Sequence, residues 1–313
     1  MLSSRRLLDS KGPRSVHRHF PVEPAVALPR WCWRESRPVV QAIFQVRFLT
    51  GFLLARPAWG VRLVTSFFPA AAIWLCATVA IYLLNGCADV TEDRVNGSSR
   101  PIAAGLLPAR LAFRVVGVLS AIALGGSALV VRRLTGLVAV LLLLGALYSL
   151  SPVAAKRWSI PAAVVAGSGG LVTYLAGAVT VGRINSDLLA FALLMSAWMG
   201  LVGTMTKDLS DVEGDVAAGR RTLACTRGES YARRLVAAVA VTVAAGGLVA
   251  VRRQPLLKAP AAVCVLGAIV LVLGLSPALS GGSPMRRRLP YRIFMTVQYL
   301  AHLVLAVALL ASR

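Results

Sequence analysis

The sequence predicts an all-α integral membrane protein, a bundle of about nine transmembrane helices. Hydrophobic residues make up 57 % of the chain and charged residues only 15 %, too few to cover the surface of a soluble domain of 313 residues. Apolar stretches of about 18 to 25 residues recur along the chain, and a helix needs this length to cross a bilayer. The stretches are rich in Ala, Leu and Val without polar alternation, which argues against a membrane β-barrel.

The first predicted span is the most polar, because Gln41, Gln45 and Arg47 interrupt it. Residues 1–36 precede it and are basic, with prolines and no continuous apolar segment. We therefore predict a mostly irregular cytoplasmic tail over 1–36, not a cleaved signal peptide, and a transmembrane domain over 37–313. The predicted spans are 38–55, 64–84, 109–130, 134–151, 159–181, 187–206, 232–251, 258–275 and 291–311.

Lysine and arginine predict the orientation. They concentrate in the N-terminal tail and after the even-numbered spans, which indicates a cytoplasmic N-terminus and, with nine spans, an external C-terminus. In a bacterium this membrane would be the plasma membrane. The net charge of +22 is interpreted as helix anchoring to lipid head groups, because no basic stripe interleaved with aromatic residues indicates nucleic-acid binding.

Acidic residues are concentrated in two short windows. Seven of the twelve Asp and Glu residues fall there, after the second and the sixth predicted span and on the same predicted cytoplasmic side. The first window contains Asp89, Glu92 and Asp93, and the second contains Asp208, Asp211, Glu213 and Asp215. A strongly basic chain that places its negative charge in two positions indicates a binding role for them.

Within each window three residues share one face of a helix, by spacing of i, i+4, i+8 or i, i+3, i+7. They are Asn85, Asp89 and Asp93 in the first window and Asp208, Asp211 and Asp215 in the second. Neighbouring like charges disfavour a bare helix by roughly a few tenths of a kcal/mol per pair, and a bound cation removes that penalty. Carboxylate oxygens in this number suit Mg2+.

Basic residues accompany both windows. Arg100 follows the first, Arg220 follows the second, and Lys156 and Arg157 lie after the fourth span on the same predicted side. Carboxylates with a metal, together with Lys and Arg, form a clamp for a diphosphate. Lys156 and Arg157 also fit the alternative of anchoring a helix end at the membrane surface.

These motifs resemble those of the UbiA superfamily of intramembrane prenyltransferases. Asn85, Asp89 and Asp93 are similar to the family's NxxxDxxxD, which runs on to Arg100 and Pro101. Residues 148–157 resemble its YSxxP…KR segment. Residues 207–222 resemble the KDxxDxxGD…G…T form of the branch that prenylates homogentisate and related quinone precursors. One departure stands out, because many members carry Asp directly after the motif Asn, where this chain has Gly86.

The resemblance implies a central cavity among nine helices, with both motifs at its cytoplasmic mouth and Mg2+ between them and an isoprenyl diphosphate. It assigns metal and diphosphate binding to Asn85, Asp89, Asp93, Asp208, Asp211 and Asp215. It assigns phosphate contacts to Arg100, Lys156 and Arg157.

The expected activity is ionisation of the isoprenyl diphosphate and transfer of the prenyl group to an aromatic acceptor resembling a quinone precursor. Asp208 is the candidate base that removes the ring proton. The alternatives are a terpene cyclase without an external acceptor, transfer to a non-aromatic acceptor (including phosphoribosyl transfer to a polyprenyl phosphate), and a transporter or lipid-binding protein. Acids at span ends rather than at mid-span argue against transport.

Three further polar residues lie within predicted spans. Arg47 either lines the cavity or extends to the membrane surface, and Gln298 and His302 either face the cavity or form hydrogen bonds between helices.

Overall fold

The computed structural model describes residues 24–56 and 63–312, and this part of the chain is helical throughout, apart from loops and one isolated bridge between Trp158 and Arg221. Its α-helices are α1 (Pro24–Glu35), α2 (Pro38–Leu54), α3 (Phe68–Ala88), α4 (Val90–Val95), α5 (Ala109–Val130), α6 (Thr135–Ser149), α7 (Ser159–Val179), α8 (Ser186–Ala197), α9 (Thr204–Ser210), α10 (Val212–Ala217), α11 (Leu223–Arg227), α12 (Glu229–Ala250), α13 (Pro255–Gly274), α14 (Pro277–Ser280), α15 (Pro284–Arg287) and α16 (Leu289–Ala311). Two π-helical turns, Leu63–Phe67 and Trp198–Gly203, and two 3-10 turns, Arg132–Leu134 and Ala155–Arg157, extend or join them.

Eight helices in the described residues are long and apolar enough to cross a membrane. The first of the nine predicted spans corresponds to α2, which has 17 residues and is therefore about 26 Å long. One span, Ser186–Ser210, is built from α8, a π-helical turn and α9. The predicted all-α bundle of about nine helices is confirmed.

The helix α1 corrects one prediction. Residues 24–35 form a helix, so the expectation of a mostly irregular tail is wrong for this segment. The physical reason is burial, because Leu28, Trp31 and Cys32 pack in a cluster with residues of α3 and α5. Residues 1–23 lie outside the described residues, and the boundary between 36 and 37 stays a prediction.

The helices α2 and α7 approach so closely that their backbones touch. A Cβ atom added to Gly51 would overlap the carbonyl of Tyr174, and one added to Gly177 would overlap the carbonyl of Phe48. Small residues at such contacts let the backbones of membrane helices approach closely. Their association depends on van der Waals packing, because lipid provides no hydrophobic driving force between helices. The contact fixes α2, and hence Arg47, against the centre of the bundle.

The outer faces of the bundle are apolar. A soluble monomer rarely leaves so many large hydrophobic side chains uncovered, whereas lipid solvates them. Examples on five different helices are Leu129, Leu143, Val241, Ile269, Leu273, Leu310 and Phe113.

The centre of the bundle holds a cavity lined by α2, α3, α6, α7, α9, α16 and the turn Trp198–Gly203. One end is charged and is formed by Arg37, Asn85, Asp89, Lys207 and Arg220. We call these five residues the mouth. The predicted central cavity is therefore present, and its charged end coincides with the acidic motifs.

Candidate active site

The two acidic motifs have the same local structure. The helix α3 ends at Ala88 and α4 begins at Val90, while α9 ends at Ser210 and α10 begins at Val212. The residue at each break, Asp89 or Asp211, has a φ of −102° or −113° and a ψ near zero, outside the helical region. The expected continuous helices are therefore broken once at each motif.

Helical register continues through the first break, whereas at the second the amide of Asp211 donates to the carbonyl of Asp208 at 3.4 Å, an i to i−3 bond. The amide of Asp89 donates to the carbonyl of Asn85 at 2.9 Å, and the amide of Asp93 donates to that of Asp89 at 2.8 Å. The amide of Asp215 likewise donates to the carbonyl of Asp211 at 2.9 Å. These i to i−4 bonds preserve the side-chain spacing from which a shared face was predicted.

The helices α4 and α10 pack against each other and bring the motifs together. The side-chain oxygen Oδ1 of Asn96 accepts a hydrogen bond from the amide of Gly214 at 3.1 Å. Residues more than a hundred positions apart thereby form one charged surface at the mouth.

Arg220 is the cation on which the two motifs converge. Its Nη2 lies 2.8 Å from Asp89 Oδ1 and 3.0 Å from Glu92 Oε1, and its Nη1 lies 3.1 Å from Asp215 Oδ1. The guanidinium is almost completely buried, so these contacts are poorly screened. The sequence indicated a basic residue after the second motif but did not predict this bridge.

Lys156 lies beside Asp89, as the diphosphate-clamp prediction requires. It stands on the 3-10 turn Ala155–Arg157 and donates a very short hydrogen bond to Asp89 Oδ1. Arg157 is exposed and lines a second, outer cavity together with Lys156 and Arg220. Its backbone carbonyl accepts from the amide of Arg221 at 2.7 Å, which joins this turn to the segment after the second motif.

The charges around the motifs determine the ionisation of the carboxylates. Burial would raise the pKa of Asp89, but Lys156 and Arg220 outweigh it and hold that pKa below its usual value. Burial would also raise the pKa of Asp211, and Lys207 at 2.9 Å reverses that shift. Burial prevails for Asp215 and raises its pKa. Asp89 and Asp211 therefore ionise more readily than Asp215.

Asp93 and Arg100 form a separate buried pair. Arg100 Nη1 donates to Asp93 Oδ2 at 2.7 Å, and Arg37 Nη2 lies 4.0 Å from Asp93 Oδ1. Glu35 is on the other side of the guanidinium, 2.8 Å from Arg100 Nη2. Neither Arg100 nor Asp93 lines the main cavity, and Arg100 lies against Asp93, so the phosphate contact of Arg100 stays a prediction.

Asp208 lies apart from the other motif acids. Its Oδ2 accepts from the hydroxyl of Ser159 at 2.9 Å, and Ser159 Oγ accepts from the amide of Leu223 at 2.9 Å. Asp208 lines a small pocket among α9, α11 and α12, not the main cavity. The geometry supports a role in connecting helices, and the predicted role as a base has no geometric support.

The interior of the cavity beyond the mouth is aromatic and aliphatic. A dry chamber of this kind can stabilise a cation through the faces of its rings. The aromatic side chains that line it are Phe44, Tyr82, Tyr148, Tyr291 and Phe294.

One charged group lies inside this chamber, away from the acids. Arg47 is 1 % exposed, and its Nη2 donates to Gln298 Oε1 at 2.5 Å. Its Nε and Nη1 have no hydrogen-bond partner among the described residues. Arg47 and Gln298 line the cavity, whereas His302 forms a buried interhelical hydrogen bond with the Tyr174 hydroxyl at 2.7 Å. Arg47 therefore lines the cavity, His302 forms a hydrogen bond between helices, and Gln298 does both.

The carboxylates fit Mg2+ by chemistry, although they are paired with cations here. In residues 24–56 and 63–312, no three acidic, His or Cys side chains form a preassembled metal site. Carboxylates of both motifs nevertheless converge on a single guanidinium, and Asp215 Oδ2 is buried without a hydrogen-bond partner. Hard oxygen donors gathered in this way suit Mg2+, which takes only some of its ligands from the protein.

An apolar helix bundle of this kind, with a charged mouth on its internal cavity, is typical of an integral multi-pass membrane protein. The model of the UbiA prenyltransferase family matches residues 46–310, most of the chain. The protein belongs to this family, as its motifs predicted.

Two relatives illustrate the range of the family. "Probable homogentisate phytyltransferase 2, chloroplastic" of Oryza sativa subsp. japonica is 30 % identical over 214 residues, which are 63 % of this chain and 55 % of the rice protein. Digeranylgeranylglyceryl phosphate synthase of Methanopyrus kandleri is 28 % identical over 214 residues, 67 % of this chain and 74 % of that protein. The match thus spans little more than half the length of the rice relative.

Solved structures share the fold at low identity. A UbiA homologue from Archaeoglobus fulgidus, bound to GPP and Mg2+, has a TM-score of 0.66 at 17 % identity and covers 89 % of this chain and 99 % of its own. A structure of digeranylgeranylglyceryl phosphate synthase has a TM-score of 0.63 at 15 % identity, with 91 % of this chain and 99 % of its own covered.

Proposed function

We propose that this protein is a Mg2+-dependent prenyltransferase that ionises an isoprenyl diphosphate and transfers the prenyl group to an aromatic acceptor carrying an anionic group. The observation that carries the proposal is a single cavity with Asp89 of the first motif and Lys207 of the second at its mouth and aromatic rings inside. A diphosphate needs the charged groups at the mouth, and an allylic cation needs the aromatic interior. The A. fulgidus homologue solved with GPP and Mg2+ supports the diphosphate part by its shared fold.

At and beside the mouth, Asp89, Asp93, Asp211 and Asp215 would hold Mg2+, which when bound supplies Lewis acidity and charge neutralisation to the departing diphosphate. Lys207 and Arg37 line the cavity there and would contact the diphosphate oxygens. Lys156 and Arg220 neutralise Asp89 in the substrate-free arrangement and are close enough to join these contacts. Preorganised cations of this kind stabilise the charge that develops on a leaving group.

Ionisation breaks the allylic C–O bond, and the bonding electron pair leaves with the diphosphate. The ring faces of Phe44, Tyr82 and Tyr148 line the chamber that would receive the allylic cation and keep water from it. An electron-rich carbon of the acceptor then forms the new C–C bond, and the ring proton passes to the released diphosphate, the base that the reaction itself supplies.

Arg47 supports transfer over cyclisation. The buried Arg47 guanidinium, which lies 5.6 Å from the centre of the Phe44 ring, destabilises a nearby carbocation unless an anion accompanies it. The carboxylate of an aromatic acid would pair with Arg47, whose guanidinium is oriented by its hydrogen bond to Gln298. A cyclase that takes up only the prenyl diphosphate has no such anion to place there.

Replacing Arg47 with Leu is expected to raise the acceptor KM by about 10- to 100-fold, because a hydrogen-bonded charge is lost from the subsite. Diphosphate binding at the mouth should change little. The measurement is the acceptor KM against the KM for the prenyl diphosphate. Thr50→Val is the matched control, since the Thr50 hydroxyl bonds only to the carbonyl of Val46 on the same helix. An unchanged acceptor KM in Arg47→Leu would remove this subsite.

The reaction is tested by incubating the purified chain with a panel of isoprenyl diphosphates and acceptors and analysing the products by mass spectrometry. We expect a prenylated aromatic acid, formed only with Mg2+. A cyclic hydrocarbon or alcohol formed without acceptor would identify a cyclase instead. Prenylation of a glycerol phosphate alone would instead indicate an activity like the one for which the M. kandleri relative is named.

We further propose that the mouth faces the cytoplasm, and that in a bacterium the membrane is the plasma membrane. The support is the concentration of Lys and Arg in the N-terminal segment and in the loops on the motif side.

A further inference from the structure

Arg100 controls the position of Asp93. Its Nη1 donates to Asp93 Oδ2 at 2.7 Å, and its Nη2 donates to the backbone carbonyls of Glu35 at 3.2 Å and Tyr82 at 3.4 Å. The side chain is buried, so these contacts leave it little freedom. The orientation of the Asp93 carboxylate therefore depends on what holds this guanidinium in place.

Glu35 supplies the second negative charge at Arg100. Its carboxylate is 0 % exposed, and Oε1 lies 2.8 Å from Arg100 Nη2 in an ionic contact that lacks good hydrogen-bond direction. Its Oε2 accepts a hydrogen bond from the amide of Ile102 at 2.9 Å. Glu35 thus holds both the guanidinium and the backbone that follows it. A buried carboxylate is tolerated only when it is paired in this way.

Gly86 leaves the space that the Glu35 carboxylate occupies. A Cβ atom on residue 86 would overlap Glu35 Oε1 and would lie 2.6 Å from Arg100 Nη2. A side chain at position 86 therefore requires the Glu35 carboxylate or the Arg100 guanidinium to move. If the Glu35 side chain were removed, a short acidic side chain at position 86 would reach the same guanidinium.

We infer that Glu35 is a positioning residue for the diphosphate site. Its side chain, on α1, places a carboxylate at Arg100, where residue 86 is a glycine and carries none. Glu35 and Gly86 are a matched pair, because the space beside Arg100 admits a carboxylate from one position or the other but not from both. This role rests on the proposed function, since Asp93 is a metal ligand only if the site binds Mg2+. The segment that precedes the matched family region therefore completes the site.

The test uses the full chain in membranes and four variants: Glu35→Gln, Glu35→Ala, Gly86→Asp and the double variant Glu35→Ala with Gly86→Asp. Loss of the charge in Glu35→Gln should raise the Mg2+ concentration for half-maximal activity, or lower kcat, by about 10- to 100-fold, the usual effect of removing a group that orients a metal ligand. Glu35→Ala should do the same. Gly86→Asp alone should be impaired, because two carboxylates compete for one space. The double variant should recover most of the activity that Glu35→Ala loses.

Glu229→Ala is the matched control, because Glu229 also pairs with a largely buried arginine, Arg233, at 2.5 Å but on α12. It should leave the Mg2+ dependence unchanged. The inference is overturned if Glu35→Gln keeps the wild-type Mg2+ dependence, or if the double variant is no more active than Glu35→Ala. Glu35→Gln preserves side-chain size, so it remains informative if Glu35→Ala fails to fold.

Thermal unfolding of the same variants separates this inference from the proposed function. Wild-type protein without Mg2+-dependent diphosphate release would contradict the proposed function. In that case the double variant should still unfold at a higher temperature than either single change, because the charge of Arg100 is paired again. An equal or lower unfolding temperature would contradict the matched pair itself.

Discussion

Replacing Asp89 with Asn is expected to lower prenyl transfer by about 10³-fold, because the change removes a carboxylate that would hold the Mg2+ that neutralises the departing diphosphate. Asp89 lines the cavity and contacts both Lys156 and Arg220 through one oxygen. Its depressed pKa keeps it ionised at neutral pH. Asparagine has the same size but no charge, so the two cations lose a common partner while the packing is retained.

The measurement for Asp89→Asn is the rate of Mg2+-dependent diphosphate release at saturating substrate. Asp187→Asn is the control, since Asp187 pairs with Arg56 at 3.5 Å near the start of α8 and does not line the cavity. The control should retain wild-type turnover. Turnover of Asp89→Asn within about threefold of wild type would mean that this carboxylate supplies almost none of the barrier reduction.

Replacing Arg220 with Leu is expected to impair both folding and catalysis. The change leaves Asp89, Glu92 and Asp215 facing one another without their shared cation. Removing one partner from a buried ionic network costs about 3 to 5 kcal/mol of folding free energy. Turnover should fall as well, because the cation at the mouth is lost.

Arg220→Leu also has a signature that does not depend on activity. Its freed carboxylates should bind Mg2+ more readily, so Mg2+ should raise the unfolding temperature of the variant more than that of the wild type. Arg221→Leu is the matched control, because Arg221 is adjacent but exposed. Equal Mg2+ stabilisation of the Arg220→Leu variant and the wild type would show that the metal does not compete with Arg220 for these carboxylates.

The spacing of polar residues predicted the part of the site that depends on local geometry. Asn85, Asp89 and Asp93 keep their i to i−4 register through the break at Asp89, because backbone hydrogen bonds determine it. The long apolar segments predicted the spans because segment length and composition are also local properties of the chain. The expected irregular tail was wrong at α1 because its packing on other helices is not a local property.

Contacts between distant segments could not be read from spacing. Arg220 meets Asp89 across 131 positions, and Arg100 meets the backbone of Glu35 across 65. Glu35 was one of five acidic residues outside the two windows, and nothing in its neighbourhood distinguished it. The spacing of Asp208 suggested a shared face with Asp211, but Ser159 on α7 draws its carboxylate to another pocket. Packing between helices determines which of these distant side chains meet.

The most direct measurement of the central claim is an experimental structure of the full chain with Mn2+, in place of Mg2+, and a thio analogue of an isoprenyl diphosphate that does not ionise. We predict anomalous signal from Mn2+ between α4 and α10, in contact with Asp89 and with Asp211 or Asp215, and a prenyl chain in the aromatic cavity. Metal bound away from both motifs, or a diphosphate bound outside the mouth, would contradict it.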